Sequence, residues 1–320
     1  MLTRSISLIL LAFFLTNCAS FDETATSAPI KTHSPINTTG HAHIPISEPF
    51  TRVVIHGNID VTLHTGESKS SVVLSGDTLS FPEVKTSIHN GLLRITVGKG
   101  YPHFGRIHAD IRTRFLSSFD YKGNGTVIAP HLKSGRLDLA INNEGKTLIK
   151  GHIALHRLLL AGTGYTQIDG ITSHASQIQV TGKTHAQLSG VIDVTSLNLA
   201  GDSSISLYWV KSNVLKIRAK DKAFVQIAGV VHTLDAVLKD KAHFNGRYLR
   251  GTHVFVKTFD HSIADICVIK TQHTLASGAS NIYFHNLPKM KADFMAMNGS
   301  VLDMHEWGTP EQQEYTPYNR

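Results

Sequence analysis

Cys18 is the residue whose type and position specify chemistry most sharply. An apolar run from Ile6 to Leu15 precedes it, Arg4 stands ahead of that run, and Leu15-Thr16-Asn17 lead into the cysteine. This is the layout of a lipoprotein signal peptide over residues 1–17, with a thiol placed to carry a diacylglycerol through sulfur. Cleavage would also free the Cys18 amine for acylation. Buried chains contribute about 0.8 kcal/mol per CH₂, so several of them anchor stably. The apolar run is too short to span a bilayer. Asn17 departs from the small residue usual before such a cysteine, and the alternative is a plain signal peptide cleaved near Ala19. Ala19, which is not acidic, points to the outer membrane by the usual sorting pattern.

The second chemical signal is charge. The formal net charge is +7, and the densest basic stretch runs from Lys211 to Arg250. Within it, Lys216, Arg218, Lys220, Lys222, Lys239 and Lys241 are candidate binding residues, because the last four would stack in pairs if the chain repeats every 19–20 positions. Such a strip attracts anions: lipid A phosphates, acidic polysaccharide or an acidic protein face. The plainer reading is a solvated lysine face that protects a sheet edge. Nucleic acid is not expected behind an export signal.

Other reactive types are weaker candidates. Asp221, Asp240 and Asp260 recur one repeat apart and are the best carboxylate ladder for glycosidic chemistry. Aspartate at a turn is equally explained by hydrogen bonding to its own turn backbone. The chain has 20 histidines, yet no H-E-x-x-H or Cys-His spacing, so neither a metal nor a cofactor is expected. His253 and His273 are about one repeat apart and are expected to stack. With Cys18 lipidated, Cys267 has no partner and reads as a buried free thiol. Tyr208-Trp209 is one exposed-looking aromatic pair, for which packing on the next repeat is the plainer account.

The elements that must position these residues follow from the repeat. Small or turn-forming residues fall at Gly123, Asn143, Gly162, Gly182, Gly201, Lys220, Asp240, Asp260, Gly278 and Asn298, in steps of about 19–20. Between them the alternation is two-residue, as in Leu137-Asp138-Leu139-Ala140-Ile141 and Ile178-Gln179-Val180. That period argues for half-buried strands. No proline occurs between Pro130 and Pro288, as expected where every coil pairs above and below. Helical repeats need about 33 residues or more, whereas two or three short strands fit this length. A β-sandwich also recurs but has no reason to hold one phase through so many repeats. The expectation is all-β: a single-stranded right-handed parallel β-helix with about 19–20 residues per coil.

Val53 to Gly66, Val72 to Asp77 and Asn90 to Val97 read V-x-I-x-G-x-I-D-V-T-L-x-x-G, V-x-L-S-G-D and N-G-L-L-R-I-T-V. This order, followed by Leu158-Leu159-Leu160-Ala161-Gly162-Thr163-Gly164, resembles the bacterial putative auto-transporter adhesin head GIN domain family. The resemblance covers residues 50–210 and implies a β-helix in the cell envelope or at its surface. It implies no defined reaction.

The expected organisation is a signal peptide (1–17), a flexible tether (18–49), a β-helix (50–307) and a tail (308–320). Within the β-helix, 50–118 are irregular N-terminal coils and 119–307 regular ones. The tether reading rests on Pro29, Pro35, Pro45 and Pro49 among Ser, Thr and Asn. Together these features describe an outer-membrane lipoprotein of the cell envelope that acts by binding. It would be a structural or adhesion-like module or an accessory subunit of an envelope or secretion assembly, held to the membrane by lipid and docking an envelope protein or an anionic polysaccharide or lipid. The alternative is a carbohydrate-active β-helix enzyme.

Overall fold

Two-residue alternation with two interruptions builds a typical coil. In Tyr165–Val180 the inward residues are Thr166, Ile168, Ile171, Ser173, Ser176 and Ile178, closing on Val180. The phase slips once at Gly170 and once at Ala175, both with positive φ (83° and 60°). One continuous strand therefore turns two corners and presents three short faces. The structure is a computed structural model and describes residues 39–98, 102, 104–286 and 290–304. The signal peptide, Cys18, most of the tether and the tail lie outside the described residues.

Eight strands each form most of a coil: β9 (Val127–Asn143), β10 (Lys146–Gly162), β11 (Tyr165–Val180), β12 (His185–Leu199), β13 (Ser204–Ala219), β14 (Phe224–Leu238), β15 (His243–Thr258) and β16 (Ile263–Ser277). Each pairs in parallel with the next. Lys146, Tyr165, His185, Ser204, Phe224, His243 and Ile263 fall in one column, 19 or 20 residues apart. The result is a parallel β-solenoid of about nine turns, as the period predicts. Its core is a stack of inward aliphatic side chains, such as Ile168, Leu188, Leu207 and Ile227, all buried. Burying apolar area this way, at about 25 cal/mol per Å², stabilises every coil only through its neighbours.

The column of left-handed turn residues is Gly162, Gly182, Gly201, Asp221, Asp240, Asp260, Gly278 and Asn298. It omits the first two sequence markers, Gly123 and Asn143, and from Gly162 onward matches the rest except at one place. Asp221, not Lys220, takes the positive φ, because the carboxylate is the side chain that can serve the turn.

The N-terminal strands are β1 (Thr39–Ile44), β2 (Arg52–His56), β3 (Ile59–Thr65), β4 (Ser71–Asp77), β5 (Val84–His89), β6 (Leu92–Val97), β7 (Ile107–Thr113) and β8 (Ser118–Gly123). Gly57-Asn58 joins β2 to β3. Their irregularity is one of order. β2 pairs with β6 on one side and β8 on the other, and β3 pairs with β7 and β9. β6 and β7 come after β4 and β5 in the chain yet lie between them and the β2–β3 coil. β4 and β5 run antiparallel to β7 and β6, and β1 runs antiparallel to β4. An antiparallel layer thus covers the first core coil, which a parallel continuation would leave open. Thr39–Ile44 corrects the tether reading: its alternating burial places Ala42 and Ile44 against the core.

At the other end, β17 (Asn281–Asn286) and β18 (Lys291–Met297) pair with β16, and β19 (Ser300–Asp303) pairs with β17. All of β18 is exposed, Phe294 by 54%. No helix among the described residues is long and apolar enough to cross a membrane.

Candidate binding surface

Three successive turns carry Lys220-Asp221-Lys222-Ala223, Lys239-Asp240-Lys241-Ala242 and Phe259-Asp260-His261-Ser262. Each closes on itself: Ala223 N–H donates to the Lys220 carbonyl (3.3 Å), Ala242 to Lys239 (3.1 Å) and Ser262 to Phe259 (3.2 Å). The second residue holds φ near 60° in all three (63°, 60° and 62°). A side chain with a Cβ resists this conformation, and aspartate and asparagine are the residues other than glycine that visit it most readily. The last residue is small and buried (Ala223, Ala242, Ser262), which lets the turn close over the core.

The carboxylates reach back one coil. Asp221 Oδ2 accepts the Gly201 N–H at 2.8 Å, Asp240 Oδ2 the Asp221 N–H at 3.1 Å, and Asp260 Oδ2 the Asp240 N–H at 3.2 Å. The expected hydrogen bonding of each aspartate to its own turn is thus corrected to bonding between turns. The three best candidates for a carboxylate cluster are engaged in stacking the solenoid. Among the described residues no group of three or more His, Cys, Asp or Glu is arranged to hold a metal ion.

Lysines flank that column on both sides. Lys239 N–H donates to the Ala219 carbonyl and Lys241 N–H to Asp221, so Lys220 stacks with Lys239 and Lys222 with Lys241. The rise between them is one strand spacing, about 4.8 Å. All four side chains are exposed, and none forms an ion pair with a described carboxylate. Thr181, Asn198 and Ala200 line a shallow open depression beside Lys220 and Lys239. Lys216 lies in register between Ser196 and Asp235. Arg218 is the exception in this set. It pairs with Asp235 through Nη2–Oδ2 (2.9 Å) and Nη1–Oδ1 (3.3 Å), and also donates to the Ile217 carbonyl (2.9 Å). The structure therefore brings together five of the six predicted cations as unpaired groups and neutralises the sixth. Asp235 is one of the few acids in the basic stretch, but its pairing with Arg218, 17 residues earlier, shows only once the register is known.

The histidine expectation fails in register. His253 Nδ1 meets Thr271 Oγ1 at 2.7 Å and its ring meets His232 edge-on at 5.1 Å, while His273 stacks on Phe255 at 5.1 Å. The offset between β15 and β16 at this face is 18 residues, which sets His253 opposite Thr271. Several histidines instead meet an aspartate of a neighbouring coil: His156–Asp138 (2.7 Å), His243–Asp265 (3.1 Å) and His273–Asp293 (3.3 Å). Cys267 is free and half-buried, and burial pushes its thiol pKa up, against the opposing pull of Arg250.

Tyr208 and Trp209 are exposed (38% and 43%), so they do not pack away on the next coil. Beside them lies a polar network that the sequence reading missed: Gln167, Asp169, Gln187 and Ser189 on adjacent coils. Its only linear signal is the matched spacing of Gln167-x-Asp169 and Gln187-x-Ser189.

A putative adhesin from Parabacteroides merdae is 14% identical over 84% of this chain and 97% of its own, with a TM-score of 0.48. A putative adhesin from Parabacteroides distasonis is 14% identical over 84% of this chain and 98% of its own, with a TM-score of 0.49. A chain from the same species described as a putative lipid binding protein is 11% identical over 84% and 97%, with a TM-score of 0.41. No curated protein matches. The family model described as "Putative auto-transporter adhesin, head GIN domain" matches residues 49–193, and that segment is similar to this family.

Proposed function

We propose that this protein is a lipid-anchored binding module of the cell envelope. Cys18 carries the lipid, the segment after it tethers the solenoid, and the outer membrane is its site. The family description supports an envelope-associated or extracellular role. Docking, not catalysis, is the activity, in the manner of an adhesion-like module or an accessory subunit of a larger envelope assembly.

The observation that carries this reading is the position of the lysine columns. Edge protection would put lysines on an unpaired strand. Lys220, Lys222, Lys239 and Lys241 instead sit in mid-solenoid, where their backbone N–H groups donate to the coil before. Like charges stacked one strand apart are destabilising, so this arrangement does not serve stability. It fits an anionic partner, with Lys216 adding to the same field and Arg218 held in reserve by Asp235. The Asp221–Asp240–Asp260 column argues against the glycosidic alternative, since its carboxylates serve backbone N–H groups.

Two measurements test the proposal. Radiolabelled palmitate should enter the wild-type protein and not Cys18→Ala; equal labelling of both would end the anchoring claim. Affinity capture from cross-linked envelopes should recover a stoichiometric partner with wild type. Lys220→Glu/Lys239→Glu should lose that partner, and its retention would end the docking claim.

A further inference from the structure

We propose that Tyr208 and Trp209, with Gln167, Asp169, Gln187 and Ser189, form a binding site for a neutral oligosaccharide. This site is separate from the lysine columns and does not depend on them.

Trp209 is an inserted residue relative to β14, which has none between Ala228 and Gly229, whereas β12 sets two residues, Gly190 and Val191, against it. Toward β12 the ladder runs Ser189↔Tyr208 and resumes at Ile192↔Val210; toward β14 it runs Tyr208↔Ala228 and resumes at Val210↔Gly229. Trp209 has no partner in either. A bulge of this kind disrupts the ladder and re-aims a side chain. The residues that turn the same corner in the flanking coils are Gly190 and Gly229, both with positive φ (138° and 141°). Neither glycine has a side chain to cover the indole, and Val191, the other β12 residue in that gap, is itself 52% exposed. Tyr208 likewise stands between Ser189 and Ala228, so small neighbours leave its ring open. An insertion that disrupts pairing and exposes two large aromatic rings has no stabilising account within the fold.

The surroundings select the ligand. Asp169 Oδ1 accepts from Ser189 Oγ at 2.6 Å and Asp169 Oδ2 from Gln167 Nε2 at 2.7 Å. Tyr165 Oη donates to Gln187 Oε1 at 3.1 Å. These contacts fix the polar groups in place before any ligand arrives, which lowers the ordering cost of binding. Lys150 Nζ lies 3.8 Å from Asp169 Oδ2 and balances its charge. The patch is therefore uncharged in sum, rich in acceptors and amide donors, and edged by aromatic faces. A sugar ring has the complementary surface: an apolar C–H face for the rings and hydroxyls for the amides and the carboxylate. The centre of a protein interface would instead be apolar and depleted of charge. Tyr165 and Tyr208 are two coils and four residues apart, about 16 Å on the diagonal, long enough for a short chain of sugars.

The test uses the full chain in a detergent without a sugar headgroup, on an array of neutral and acidic glycans. A neutral glycan retained there is then titrated as a soluble hexasaccharide. Trp307→Phe leaves Trp209 as the single tryptophan and makes its fluorescence the readout. The expected result is a saturable change in that fluorescence. In array retention, Trp209→Ala and Tyr208→Ala should each lose tenfold or more, Trp209→Phe should retain most binding, and Lys220→Ala/Lys239→Ala should bind like wild type. Unchanged circular dichroism would show each variant folded. The proposal is overturned if no neutral glycan is retained, if Trp209→Ala binds like wild type, or if retention is confined to acidic glycans and needs the lysines. It is also overturned if Trp209→Ala loses only a cross-linked protein partner.

Discussion

Asp240 Oδ2 accepts the backbone N–H of Asp221 at 3.1 Å, one coil earlier, while the Asp240 N–H goes to Asp260 Oδ2 at 3.2 Å. Each aspartate thus both holds a left-handed turn and ties it to its neighbour. The two roles separate by substitution. Asp240→Asn keeps an acceptor and tolerates the conformation. Asp240→Gly loses the acceptor, worth about 0.5–1.5 kcal/mol, but relaxes the backbone. Asp240→Ala loses both, adding about 1–2 kcal/mol for the left-handed turn. The expected stability order is Asp and Asn, then Gly, then Ala. Amide exchange at Asp221 should quicken in the Gly and Ala variants only. Equal stability of Ala and Gly would refute the turn argument.

Tyr121 ties the out-of-order N-terminal coil to the regular ones. Its ring is buried, Oη donates to the Ile59 carbonyl at 2.9 Å, and it accepts the Gly125 N–H at 2.7 Å. A Cβ on Gly125 would lie 2.2 Å from the Ile59 oxygen, so the chain can pass there only as glycine. Tyr121→Phe leaves two buried groups unpaired and should cost about 1–3 kcal/mol. Burial, partly opposed by the Gly125 hydrogen bond, pushes the Tyr121 pKa up to about 12. The unfolded chain ionises near 10, so between about pH 10 and 12 it has released a proton that the folded protein retains. This contribution is intact below pH 10 and falls as pH rises. Denaturation of wild type and Tyr121→Phe between pH 9 and 11.5 should show their difference shrinking with pH.

The regular coils could be read from the chain because their cause is local. Alternation such as Ile178-Gln179-Val180 and turn residues such as Gly182 recur in phase, and stacking adds nothing the period does not already contain. The N-terminal coils could not be ordered, because β6 and β7 slide between β2–β3 and β4–β5 through the β2–β6 and β3–β7 pairings, 40 and 48 residues apart, which leave no local trace. The lysine columns were visible as a spacing, but the neutralisation of Arg218 was not. Tyr208-Trp209 was visible as an exposed-looking aromatic pair, whereas the standing of Trp209 as an insertion needed the ladder toward β14.

Asp235 should therefore act as a brake on anion binding. Its pair with Arg218 is partly exposed, 37% and 44%, so it contributes little to stability, about 0–1 kcal/mol. Asp235→Asn removes the charge but keeps a hydrogen-bond acceptor, which frees a cation beside Lys216 and Lys220. On a sulfated or carboxylated cation-exchange matrix the variant should elute at higher salt than the loss of one acidic group elsewhere produces. Asp202→Asn is the matched control. Identical elution of the two variants would show that Arg218 does not join the lysine field.

His285 gives the C-terminal coil its own response to acid. Burial holds its pKa below the ordinary 6.5, Arg247 pushes the same way, and Asp265 and Asp303 oppose them. Above about pH 6.5 neither the folded nor the unfolded chain carries a proton there, and the contribution to stability is complete. As pH falls below that value the unfolded chain takes the proton first, so stability is lost with each step downward until the folded imidazole also titrates. His285 sits on β17, next to the exposed β18, so opening of the last coil should precede opening of the rest. Amide exchange in 281–297 should quicken from pH 7.5 to 5, after correction for intrinsic rates, more than in β11 or β12. In His285→Gln the acid-dependent part should disappear while the pH-independent difference remains. An equal acid response in both proteins would assign the effect to the other histidines.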